Sequence, residues 1–197
     1  SPSYRAVFNG NVTFSGAGNS SFSHSFTGTG ATVTKNGTGT TTLSGVNTYT
    51  GVTTINAGTL QVGAAGTTGN LGTGNVVNNG TLSFNRTDTY VVSNLISGLG
   101  SLAQLGTGNT SLTNANSYSG GTTLSGGSLG VYDNSAIGTG ALTAANGTKV
   151  MFGRNVTNLA NNVTLNGSVT FELDSNVEYL LVAGGGGGGG GGWGGGG

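Results

Sequence analysis

The sequence predicts an all-β chain wound as a single-stranded parallel β-helix, right-handed, with a polyglycine tail behind it. Three observations predict this. Apolar residues occur in very short alternating runs, Gly or Asn separates nearly all of those runs, and one long stretch of the chain is said twice. Helix is disfavoured from the start. Of 197 residues 43 are Gly, each costing about 1 kcal/mol relative to Ala inside a helix. No window carries a 3.6-residue stripe of good helix formers.

From the N-terminus, alternation predicts strands at 11–14, 31–34, 40–43, 52–55 and 58–62. It continues at 80–84, 90–93, 100–103, 110–113, 121–124 and 127–131, then at 140–143, 148–152, 163–165 and 168–173. Each run places one to three apolar side chains on one face and Thr, Ser or Gln on the other. The corners between them carry residues that tolerate positive φ. The inward set is Leu43, Ile55, Leu60, Val62, Leu82, Phe84, Leu112, Leu124, Leu129, Val131, Phe152 and Phe171, joined by Leu102, Leu142, Val150, Leu165, Val169 and Leu173.

The repetition favours a solenoid. Leu43 and Leu112, Tyr49 and Tyr118, and Leu60 and Leu129 are all separated by one and the same offset, as are Gly39 and Gly108. A looser recurrence is headed by Gly58, Gly80, Gly100, Gly127, Gly147 and Gly167, at steps of 20 to 27 residues. One turn of a parallel β-helix, three short strands and three corners, takes roughly 20 to 23 residues, close to those steps. About eight coils at roughly 4.8 Å each make a rod on the order of 40 Å, and the common offset is expected to equal three coils. A hairpin sandwich is the alternative, since Asn-Gly stands at Asn36, Asn79, Asn146 and Asn166. It needs strands of about five or six residues, longer than many of these.

The expected division is a β-helix over 1–182 and a glycine-rich tail over 183–197. There Glu178-Tyr-Leu-Leu-Val-Ala183 runs into nine glycines, Trp193 and four more glycines. Polyglycine has much backbone freedom to lose and no side chain to bury, so the tail reads as a linker or as an element of a glycine bundle. Trp193 is an exposed contact or a packing stop. A chain that opens without Met and ends in glycine looks like a piece of something longer.

Charge narrows the function. Five Lys plus Arg balance five Asp plus Glu, so 5% of the chain is charged against about 25% in ordinary domains. Arg5, Lys35, Arg86, Lys149 and Arg154 are scattered singly, without the basic cluster that nucleic acid or an anionic membrane requires. There is no Cys, hence neither disulfides nor thiolate chemistry. No window reaches the roughly 18 apolar residues of a membrane helix.

Candidate chemistry is sparse. His24, the one histidine, stands between Phe22 and Phe26 in alternation and is expected to face away from them, toward water or serines. It cannot make a multi-histidine zinc site, and no Gly-x-Ser-x-Gly elbow accompanies it. Asp88, Asp133, Glu172, Asp174 and Glu178 are the acids. Glu172 and Asp174 share a strand face about 7 Å apart, a spacing compatible with inverting glycoside hydrolysis. With no aromatic platform or Arg around them in the sequence, they read first as solvated charges guarding a sheet edge. The calcium solenoid motif lacks its aspartates, so no metal and no cofactor is expected. Tyr49 and Tyr118, beside Asn47 and Asn116, read as outer corner packing or as repeated sugar or protein contacts.

The residues that carry the repeat also carry a resemblance. Thr34-Lys-Asn-Gly-Thr-Gly-Thr-Thr-Thr-Leu-Ser-Gly-Val-Asn-Thr-Tyr-Thr-Gly, continuing to Val62, resembles the autotransporter-associated β-strand repeat, also called the passenger-associated transport repeat. Residues 106–129 look like a second copy, with Gln104 and Leu105 in place of the usual Lys-Asn or Lys-Thr and Asn114 in place of Gly. The resemblance implies a secreted bacterial β-helical passenger, exposed at the cell surface and tied to adhesion, autoaggregation or biofilm. Val177-Glu-Tyr-Leu-Leu-Val-Ala-Gly-Gly-Gly is similar to the start of glycine-rich modules of phage tail and bacterial surface proteins. The expected function is therefore an extracellular structural and adhesive module with self-association, and with cell-surface or polysaccharide contacts. The alternatives are a carbohydrate-binding or polysaccharide-degrading solenoid that uses Glu172 and Asp174, and a passive secretion spacer.

Overall fold

The structure, a computed structural model, describes residues 7–174; the glycine tail, Trp193 and the expected boundary at 182 lie outside the described residues. Among these there are twenty short strands and no helix. The chain first forms β1 (Val7–Asn9), β2 (Val12–Phe14), β3 (Ser20–Phe22), β4 (Ser25–Thr27), β5 (Val33–Lys35) and β6 (Thr40–Leu43). It continues through β7 (Thr53–Ile55), β8 (Thr59–Gly66), β9 (Val76–Asn78), β10 (Thr81–Arg86), β11 (Thr89–Val92), β12 (Ile96–Ser97) and β13 (Ser101–Gln104). The last are β14 (Asn109–Leu112), β15 (Thr122–Leu124), β16 (Ser128–Val131), β17 (Leu142–Ala145), β18 (Lys149–Phe152), β19 (Val163–Asn166) and β20 (Thr170–Leu173).

Every strand pairing is parallel, which removes the hairpin sandwich, and the fold is a parallel β-solenoid of about eight turns. The chain visits three faces in a fixed order. Face I stacks β2, β5, β7, β9 and β12; face II stacks β3, β6, β8, β10, β13, β15, β17 and β19. Face III has β1 and β4 at its N-terminal end and β11, β14, β16, β18 and β20 further along. On face II, Thr41 pairs with Leu60, Leu60 with Leu82, Leu82 with Leu102 and Leu102 with Thr122. The coil is therefore close to the period expected of a parallel β-helix. Eight strands make seven intervals, a ladder about 34 Å long at ~4.8 Å per step.

Fifteen of these strands fall on the expected segments; β1, β3, β4, β9 and β12 do not, being two- or three-residue runs such as Ile96-Ser97. Glycine corners set the stacking. A Cβ on Gly58 would lie 2.5 Å from the carbonyl oxygen of Gly37, and one on Gly80 2.5 Å from that of Gly58. A Cβ on Gly100 would run into the carbonyl of Gly80. One coil's backbone therefore rests on the corner backbone of the previous one, and only glycine leaves room.

The interior is filled by columns in register. Leu43, Val62, Phe84, Gln104, Leu124 and Ala144 form one on face II, each paired with the next. The positions Leu43, Ile55, Leu60, Val62, Leu82, Phe84, Leu112, Leu124, Leu129 and Val131 are fully buried, each worth about 1.5–3 kcal/mol of transfer free energy. Phe152 is half-buried. Phe171 corrects the expectation: it is 44% exposed. It continues the inward column of Val150 and stacks on Phe152 with centroids 6.1 Å apart, but it belongs to the last described coil. Leu165, 46% exposed, shares that position.

The reading of the sequence offset as three whole coils is also corrected. Three coils beyond Leu43 on its column comes Gln104, not Leu112. Leu112 lies on β14, one face further round. The second copy is therefore displaced by three coils plus one face.

Candidate functional site

The repeated residues are fastening elements, each doing the same work on a different face. In the first copy, Asn47 Oδ1 accepts the amide of Phe26 from the preceding coil at 2.9 Å. Its Nδ2 donates to the carbonyl of Asn70 in the following coil at 2.6 Å. In the second copy, Asn116 Oδ1 accepts the Ile96 amide at 2.8 Å and Nδ2 donates to the Ala136 carbonyl at 2.7 Å. Both asparagines are buried, and each stitches three coils together where the ladder lacks a regular strand.

Tyr49 and Tyr118 overturn the expectation of surface contacts, being 1% and 0% exposed. Their hydroxyls share hydrogen bonds with Thr53 Oγ1 at 2.7 Å and Thr122 Oγ1 at 2.6 Å. Burial pushes both phenols above the ordinary tyrosine value, and the threonine bonds oppose that rise. The signal in the sequence is a Thr four residues after each Tyr, an inner-face partner for a buried hydroxyl.

Lys35 and Gln104 are a third equivalent pair. Both are buried. Lys35 Nζ donates to the Gly37 carbonyl, while Gln104 Nε2 donates to those of Gly106 at 2.9 Å and Gly108 at 3.2 Å. Gln104 Oε1 accepts from Thr110 Oγ1 at 2.6 Å. Burial lowers the Lys35 ammonium below the usual lysine value.

Arg86 holds the longest coil, the one that separates Thr53 from its paired neighbour Val76. It is 9% exposed and grips Asp88 through Nε at 2.9 Å and a terminal nitrogen at 2.7 Å. It also donates to the carbonyls of Thr67 and Gly69, and its guanidinium carbon lies 5.0 Å from the Tyr90 ring centroid. Hydrogen bonding from Arg86 holds the Asp88 carboxyl below the ordinary aspartate value. These contacts pin the excursion between β8 and β9.

The remaining polar candidates stand apart. Glu172 pairs with Lys149 at 2.9 Å, and Asp174 accepts from the Tyr132 hydroxyl at 3.3 Å, so the two acids have separate partners. His24 is half-buried and meets Phe8 edge-on, with ring centroids 5.7 Å apart. Two shallow recesses are lined by residues 8–12 and by Ser23, Ser25, Ser44, Gly45, Val46 and Thr68, without a charged side chain. Among the described residues, no three His, Cys, Asp or Glu side chains gather as a metal site.

Comparison with known proteins agrees with the repeat. Residues 33–62 and 102–131 each match the passenger-associated transport repeat. Over 74 residues the chain is 50% identical to the adhesin BmaC autotransporter of Brucella suis biovar 1 (strain 1330), covering 37% of this chain and 2% of that protein. The chain thus spans a small fraction of the relative's length. No solved structure matches. The chain thus carries two passenger-associated transport repeats, set three coils and one face apart on a parallel β-solenoid, and is similar over part of its length to an autotransporter adhesin.

Proposed function

We propose that the chain is a length of adhesive stalk displayed outside a bacterial cell, in which the solenoid gives stiffness and reach and its outward faces make contact. The observation that carries this reading is the unbroken eight-strand ladder of face II, apolar inside and hydroxyl-bearing outside. Each coil needs only its neighbours, so length is gained by repetition. The relative's name supplies the rest: an adhesin, exported as an autotransporter. No catalytic role is assigned. We take the winding as right-handed on the general preference of parallel crossovers. We take the division of the chain to be a solenoid over 1–182 and a glycine-rich tail over 183–197.

Beads coated with the whole chain test the reading. Attachment to host cells and to glass rises with coating density and persists in high salt, because so few charges take part. Coated and bare beads that attach equally would leave only a spacer.

A further inference from the structure

The charged side chains of the described exterior are confined to one side. Lys149 and Glu172 are on β18 and β20 of face III, and Asp88, Asp133, Arg154 and Asp174 sit at the corners where the chain enters or leaves that face. Lys35 and Arg86 are buried. Face II, the one face with regular strands in all eight coils, carries no outward charge among the described residues. Its outward row includes Thr42, Gln61, Ala103, Thr123, Thr143 and Thr164, aligned by direct strand register. Ser21 heads the row, and Ser83, between Gln61 and Ala103, is its buried member. In the neighbouring row Thr81 and Ser101 share a hydrogen bond at 3.2 Å.

Protein surfaces that stay apart ordinarily intersperse charges of both signs. This one places its charges elsewhere and leaves an array of small hydroxyl and methyl groups. We propose that face II is a lateral docking surface for a second copy of this chain, packed face to face. The proposal rests on the adhesive-stalk reading and names one contact within it. Such a surface is self-complementary: two copies related by a two-fold axis meet without like charges and can exchange hydroxyl hydrogen bonds. An acidic or basic partner would gain nothing from it.

Area sets the strength. A ladder about 34 Å long and four residues wide, at ~3.3 Å per residue, offers about 450 Å² per copy, or roughly 900 Å² for the pair. Stable interfaces bury about 1,200–2,000 Å², so one solenoid of this length pairs transiently. Each further coil adds about 60 Å² per copy, and longer rods hold by multivalency.

Sedimentation velocity of the full chain over a wide concentration range is the test. The sedimentation coefficient rises with concentration and is indifferent to salt. Thr42→Lys combined with Thr123→Lys weakens pairing at least about tenfold, a difference of roughly 1.4 kcal/mol, with circular dichroism and melting unchanged. Thr54→Lys, outward on face I, leaves pairing intact. A parent chain that stays monomeric, or a Thr54→Lys chain as impaired as the face II variant, overturns the proposal. So does dispersal of the pairs by saturable binding of a soluble neutral glucan, which would make a glycan the occupant. Bead attachment that persists in a monomeric chain removes this interface and keeps the stalk.

Discussion

Lys35 and Gln104 hold the same place in the two copies, and replacing Lys35 with Gln measures what a buried cation costs this interior. The ammonium has three donors and its recorded partner is the Gly37 carbonyl. A glutamine can keep that bond, as Gln104 does with Gly106. It also adds an acceptor facing Thr41, the counterpart of Thr110, which donates to Gln104 Oε1. Replacing a buried charge by a well-packed neutral group is commonly neutral or stabilising by about 1–4 kcal/mol; with the hydrogen bond retained, Lys35→Gln is expected to gain about 1–3 kcal/mol. That is a melting-temperature rise of about 2–4 °C for each kcal/mol. Gln104→Lys runs the other way: it leaves the Thr110 hydroxyl without its acceptor and buries a charge, costing about 3 kcal/mol or more.

The pH dependence has a definite sign. The Lys35 value in the fold is below its ordinary 10.5, so between the two values the unfolded chain binds more protons. Stability of the parent therefore rises with pH across that window, and the advantage of Lys35→Gln shrinks. Urea unfolding from neutral to alkaline pH reads this out. A Lys35→Gln chain less stable than the parent at neutral pH, or an advantage that grows with pH, would refute the reasoning.

Two further outcomes concern packing. Tyr118→Phe and Tyr49→Phe each lose a buried hydroxyl bond and are expected to lower stability by about 1 kcal/mol in denaturant unfolding; surface tyrosines would leave it unchanged. Gly80→Ala drives a methyl against the Gly58 carbonyl at 2.5 Å and is expected to cost about 1–3 kcal/mol. Gly16→Ala, where a Cβ meets nothing within 4 Å, stays within about 0.5 kcal/mol in the same melting assay.

The fold is legible because two local signals agree. Alternation places Leu60, Val62, Leu82 and Phe84 inward, and glycine spacing gives the coil. The relation between the copies is not legible. Similarity of Leu43 and Leu112 shows equal local structure, but the coil length, set partly by the excursion that Arg86 pins, decides which face the second copy reaches. The tyrosines escape for another reason: a solenoid interior is expected to be aliphatic, whereas this one also buries hydroxyls and amides wherever a partner such as Thr53 or Thr122 is within reach. Phe171 shows a third limit, since alternation assigns a side but does not say whether another coil follows to cover it.

The stagger of the copies bears on the straightness of a longer rod. Residues 44–52 and 113–121 each interrupt regular pairing, the first on face III and the second on face I. A third copy at the same spacing would fall on face II and a fourth on face III again. Softer seams placed on one side would bow the shaft toward a single bearing, whereas seams dealt out in rotation cancel one another's curvature. The repeat itself therefore gives the shaft no preferred direction of bending under shear.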